Sequence, residues 1–100
     1  MSKHRTGIQF LYRAHKAAAY YGLCAAEVGK ADYMRAIKYC RNSLATEHDD
    51  PDSYVLLGEC YTLLFNSDNR AEYLSNAESN FLSALKINPN MDQAAVVRRR

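Results

Sequence analysis

The sequence predicts an all-α protein: two helical hairpins stacked as a short solenoid, with an extended N-terminal helix and a short C-terminal capping helix. Three observations carry this prediction. The chain repeats itself. A shift of 34 residues places Tyr20 on Tyr54, Leu23 on Leu57 and Cys24 on Gly58, and a shift of 41 places Ala36 on Ala77, Cys40 on Phe81, Ser43 on Ala84 and Leu44 on Leu85. Within each matched stretch, apolar and small residues recur at three- and four-residue steps, the spacing of one helix face. The composition, 48% hydrophobic and 24% charged with four Gly and two Pro in 100 residues, belongs to a folded helical chain rather than a disordered one. A chain of this length makes one domain, and folding hides only about 60–70% of the surface its unfolded form exposes.

In chain order, residues 1–16 form a helical extension. From about Thr6 to Lys30 there is no proline, and Ile8, Leu11, Ala14, Ala18, Tyr21, Ala25 and Val28 fall on one stripe. One long helix, or two bent near Gly22, accounts for them. The first unit spans 17–50, its hairpin closed by the tight turn Lys30–Tyr33. The second spans 51–90 and carries seven more residues than the first, which is about two helical turns. One reading lengthens both helices, with Leu63, Leu64 and Phe65 added to the first, and Tyr73 and Leu74 to the second. Asn66–Asn69 then turns between them, Asp68 or Asn69 serves as N-cap, and Glu72 completes a capping box with Asn69. The alternative is a loose loop. Pro89 stops the last long helix, and Asn90 or Asp92 starts a partial capping helix over 91–100 that ends in a basic tail.

Small residues at matched positions have a mechanical reason. Two helices approach closely only where a side chain is short, and Cys24, Gly58, Ala36, Ser43, Ala77 and Ala84 supply such places, with Tyr20, Leu23, Tyr54, Leu57 and Tyr61 filling the space beside them. Gly58 inside a helix costs about 1 kcal/mol relative to Ala, and close packing is the compensation. The run Tyr54–Leu57–Gly58–Tyr61, followed by Ala77, Phe81, Ala84 and Pro89, resembles the tetratricopeptide repeat pattern. The first unit keeps Tyr20, Leu23, Ala36 and Ser43. It departs from the pattern at Glu27, where an aromatic is usual, and at His48, where proline is usual. The resemblance covers about three quarters of the chain.

Chemistry is sparse. His4, His15 and His48 lie on separate elements, and no Cys-x2-Cys or His-x3-His spacing occurs, so no metal is expected. Cys24, Cys40 and Cys60 are odd in number and widely spaced, which reads as buried thiols in the cytoplasm or another reducing compartment; Cys24 and Cys40 are placed to face each other in the first hairpin. There is no glycine-rich phosphate loop, no carboxylate pair among Glu27, Glu47 and Glu59, and no base set beside a cysteine. No enzyme and no cofactor are expected. No apolar run reaches the roughly 18 residues of a membrane span, and the opening residues make a poor secretory signal.

Two kinds of partner remain. The resemblance implies a concave surface lined by the first helix of each pair, which maps here to Ala18, Tyr21, Ala25 and Val28 in the first unit and Asp52, Val55, Glu59 and Thr62 in the second. The clamp of Lys, Arg and Asn that some tetratricopeptide proteins use for a C-terminal carboxylate is absent, since its places hold Tyr21, Ala25 and Leu56. An adaptor or small assembly subunit follows, binding an apolar segment that carries Lys or Arg. The chain's own terminal helix is another occupant, and two and a fraction repeats leave faces open for self-association. The alternative is a structural subunit of a nucleoprotein particle held by its basic ends, with Arg98, Arg99 and Arg100 on phosphate. A net charge of +2 does not by itself call for a polyanion.

Overall fold

The structure is a computed structural model and describes residues 2–91, with side chains from residue 7 onward. The described residues form four helices and no strand: α1 (Ser2–Gly29), α2 (Tyr33–Thr46), α3 (Pro51–Asp68) and α4 (Ala71–Ile87). The partial capping helix and basic tail expected over 91–100 lie, apart from Met91, outside the described residues. None of the described helices is long and apolar enough to cross a membrane.

Each boundary has a local cause. α1 ends in a Schellman turn, in which Asp32 N–H reaches the Glu27 carbonyl at 2.9 Å and Ala31 N–H the Val28 carbonyl at 2.9 Å. That geometry forces Ala31 to a φ of 62°, in the left-handed region usually filled by glycine. Asp32 then caps α2 by accepting from Arg35 N–H at 3.3 Å. Asp50 caps α3 by accepting from Asp52 N–H at 3.1 Å, with Pro51 in the first turn, where a missing N–H is harmless. Asn69 stops α3 in the left-handed conformation, φ 58°, as its N–H bonds the Phe65 carbonyl at 2.7 Å.

The seven additional residues of the second unit are helical: α3 and α4 run for 18 and 17 residues, against 14 for α2. The expected capping box is not formed. Asn69 is taken up as the C-cap of α3, so the turn is shorter than expected and Arg70 becomes the N-cap of α4, with no side-chain cap bond. Glu72 instead pairs with Arg70 at 3.2 Å. α1 is one continuous helix through Gly22, without the alternative bend.

α1 pairs with α2, α2 with α3, and α3 with α4, so the two hairpins lie side by side. Both hairpins are antiparallel, as seen from Ser43 against Ala17 and Tyr39 against Tyr20 in the first, and Phe81 against Gly58 and Tyr73 against Tyr61 in the second. The core joins Cys24, Ala36, Ile37 and Cys40 to Leu56, Leu57, Cys60, Tyr61, Leu64, Ala77 and Phe81. The two self-alignment shifts therefore describe real contacts. Gly58 lies under the Phe81 ring, and Cys24, its match in the first unit, lies against Cys40, the match of Phe81.

Three expectations are corrected. Cys24 and Cys40 are not thiols but a disulfide joining α1 to α2, with Cα atoms 5.5 Å apart; Cys60 alone is a free, buried thiol. Leu23 does not fill the hairpin, and is 44% exposed, because the buried line of α1 runs through Ala17, Cys24 and Glu27. The stripe from Ile8 to Val28 is displaced from that line, and of its members only Tyr21 and Val28 pack against the core. Glu27, the departure from the repeat pattern, is buried and reaches Lys30 Nζ at 3.6 Å.

Candidate functional site

The trough across α1 and α3 is built at the end where three helices meet. Ser43 of α2 donates to the Ala17 carbonyl of α1 at 3.0 Å, and Ser53 of α3 donates to Asp50 Oδ2 at 2.6 Å. The two serine hydroxyls are 3.1 Å apart and both are fully buried. Each hydroxyl has one proton to give. The short bond to a carboxylate claims that of Ser53, which leaves the Ser43 proton to Ala17 and to the Ser53 oxygen. This chain locks α1, α2 and the start of α3 together and fixes Asp50 and Asp52 beside α1.

Ala18 and Tyr21 of α1 and Asp50 and Asp52 of α3 line a hollow of about 220 Å³. The Tyr21 hydroxyl has its pKa raised, first by burial and then by the negative charges of Asp52, Asp50 and Glu59. A tyrosine is protonated at neutral pH in any case, and the shift extends that state to higher pH, leaving a phenol beside carboxylates. Of the eight predicted trough residues, Ala18, Tyr21 and Asp52 are brought together here. Glu59 lies close enough to act electrostatically on Tyr21. Val28 and Val55 are half-buried and pack against the core, so they form the floor rather than the rim. Ala25 is exposed, and Thr62 turns its hydroxyl to the Gly58 carbonyl at 3.0 Å, which spends its donor within α3.

The hollow shares Ala18 and Asp50 with a larger cleft of about 620 Å³, formed where the N-terminal half of α1 runs past the last turn of α2. Phe10, Arg13 and Ala14 form one wall, and Glu47, Asp49 and Pro51 are part of the other. Sequence reasoning left Phe10 and Asp50 out of the site. Asp50 was legible, since Asp before Pro at a helix start is a capping signal. Phe10 was not, because its position depends on α1 continuing straight beyond its partner.

Among the described residues, no group of three His, Cys, Asp or Glu side chains is placed to hold a metal ion. Burial and, secondarily, Glu59 push the Cys60 thiol up to about 12. Arg98, Arg99 and Arg100 lie outside the described residues. Comparisons with protein-family models, with curated proteins and with solved structures find no match for this chain.

Proposed function

We propose that this chain is a protein-interaction module of tetratricopeptide type, an adaptor or small assembly subunit that holds a segment of another protein across α1 and α3. The observation that carries the reading is the hollow at Tyr21. An apolar wall with a phenol is edged by the carboxylates of Asp50 and Asp52, and the adjoining cleft adds Glu47 and Asp49, with Arg13 and His48 also in its lining, so carboxylates still predominate. Such a surface complements a segment with apolar side chains on one face and Lys or Arg beside them. The repeat reading is supported by the equivalent contacts Cys24–Cys40 and Gly58–Phe81 at matched positions of the two hairpins. Action in the cytoplasm or another reducing compartment requires Cys24 and Cys40 as thiols; the bridged state belongs to an oxidising one.

The test uses amphipathic peptides of identical apolar face carrying either Lys and Arg or Asp and Glu, with binding read by fluorescence anisotropy. The basic peptide is expected to bind and the acidic one to fail. Asp52→Lys, at an exposed position, should weaken the basic peptide at least tenfold without changing the helical content. Equal binding of both peptides, or indifference to Asp52→Lys, removes the trough from consideration. Val55 is a poor site for the test, since its side chain supports the core.

A further inference from the structure

A helix on a protein surface ordinarily turns a polar face to water. α1 does not. Helical spacing places Ile8, Leu11, Tyr12 and His15 in one line with Ala19, Gly22 and Ala26, on the side opposite the buried line of Ala17, Cys24 and Glu27. Ile8, Leu11 and Tyr12 are 67%, 61% and 64% exposed. Ala19, Gly22 and Ala26 are exposed as well, and nothing lies within 4 Å of a Cβ built at Gly22. The charged residues of the helix from residue 7 onward, Arg13, Lys16 and Glu27, all fall outside this line.

We infer that this face is the contact between two copies of the chain, paired antiparallel along α1 about a two-fold axis. The argument is the division of the face into a bulky N-terminal half and a small C-terminal half. An isologous contact requires one patch to fit itself. Antiparallel pairing meets that condition, since each copy sets its large side chains over the other's small ones. Ile8 comes opposite Ala26, Tyr12 opposite Gly22 with the exposed Leu23 beside it, and His15 opposite Ala19. A parallel pairing would put Tyr12 on Tyr12 and leave Gly22 facing Gly22 across a gap. Glycine and alanine along half the seam let the axes approach to about 8 Å, the near end of the range for packed helices.

The paired stretch from residue 8 to residue 26 is about 28 Å long. Two such faces bury on the order of 1,000 Å² in total, near the lower limit for a specific interface. Lys16 is exposed at the margin, its ammonium 5.8 Å from the centre of the Tyr12 ring, and its long stem lets that charge move out to water when a second copy covers the ring. The seam thus buries no charge. A partner of a different kind would need to match both halves of the face, whereas a second copy already does. The contact is separate from the trough at Asp52, and holds whether or not the trough binds a peptide.

Sedimentation equilibrium of the full chain, from micromolar to near-millimolar concentration, should show a monomer passing to a dimer. Gly22→Arg, at a position with open space around it, should leave a monomer at every concentration with its helical content unchanged. Ala19→Lys, one turn away, repeats the test should the first variant fold poorly. Orientation is read by oxidation of mixed variants that each carry one introduced cysteine, with Cys24 and Cys40 bridged and Cys60 buried: Tyr12→Cys should link to Gly22→Cys, and neither should link to itself. Asp52→Lys should dimerise as the parent does. A monomeric parent, a dimer untouched by both charged variants, or self-linking of Tyr12→Cys would each overturn the inference.

Discussion

Gly22 and Gly58 both occupy helix interiors, and the same substitution at the two sites should move stability in opposite directions. At Gly22 an added methyl meets no atom within 4 Å. In the monomer, at concentrations too low for α1 to pair with a second copy, Gly22→Ala therefore gains helix propensity alone, about 1 kcal/mol. At Gly58 an added Cβ stands 2.7 Å from Phe81 Cε1, 2.8 Å from Cδ1 and 2.9 Å from Cζ, well inside any real carbon contact. The ring is 2% exposed and set between Ala77 and Ala84, both at 0%, so it has no route to solvent. The hairpin must spread or the ring must leave its rotamer, and overpacking of this kind costs about 1–3 kcal/mol. Set against the propensity gain, the net is a loss of up to about 2 kcal/mol. Urea unfolding of the parent and both variants gives the signs directly. Phe81→Leu, harmful in the parent, should be less so beside Gly58→Ala, with a coupling of about 1 kcal/mol or more. A Gly58→Ala protein as stabilised as Gly22→Ala would mean that Phe81 does not cover the glycine, and the pairing of α3 with α4 described here would be wrong.

Ala31→Gly relieves a left-handed alanine at the end of α1 and should stabilise by about 1 kcal/mol, a rise of about 4–8 °C in melting temperature by calorimetry; no rise would mean the Schellman turn is not formed. Reducing the Cys24–Cys40 bond reopens a loop with a sequence separation of 16 and should lower stability by about 3 kcal/mol in urea titrations with and without dithiothreitol; coincident curves would refute the bridge. Burial lifts the Cys60 pKa from 9.0 to about 12, so the folded state favours the thiol. The stability from that preference is whole below pH 9 and is lost as pH rises towards 12. Iodoacetamide at pH 8 should accordingly leave Cys60 unmodified in the native protein and label it in urea, and rapid native labelling would contradict its burial.

The fold was legible where packing leaves a periodic trace. Gly58 pointed to a close contact because it stands at a position matched by small Cys24 in a repeated pattern, and matched pairs at two shifts placed the hairpins. Ends were harder to read. Asn69 is acceptable both as an N-cap and as a left-handed C-cap, and only the length of the turn decides between them. The turn at Lys30–Tyr33 was legible, but its left-handed residue was not, since alanine is a strong helix former and carries no preference for a positive φ. Within the trough, Ala18, Tyr21 and Asp52 were readable from the repeat. Val28 and Val55 were not assignable to rim or floor, because a half-buried valine looks the same in either place. Cys24 and Cys40 were placed facing each other, but facing thiols and a bridge have one sequence.

The equivalent positions of the two hairpins are filled by different means, and this sets where the molecule is firm. In α3–α4 an aromatic ring over a glycine supplies the contact through packing, with Leu57, Tyr61 and Leu64 around it. In α1–α2 the same place holds two small sulfur-bearing side chains; the other buried apolar residues are Ala17, Ala36 and Ile37, and Tyr21, Val28, Tyr33, Tyr39 and Leu44 pack against the core while only partly buried. That half buries its apolar side chains less completely, so the covalent link and the bonds from Ser43 and Ser53 through to Asp50 add to packing in holding α1 in position. Both surfaces argued for above, the trough at Tyr21 and the uncharged outer face, belong to α1. Among the described residues, the helix with the most exposed large apolar side chains is thus the one whose attachment adds a covalent link and buried hydrogen bonds to its packing, as expected of an element that gains its remaining stability from what packs against it.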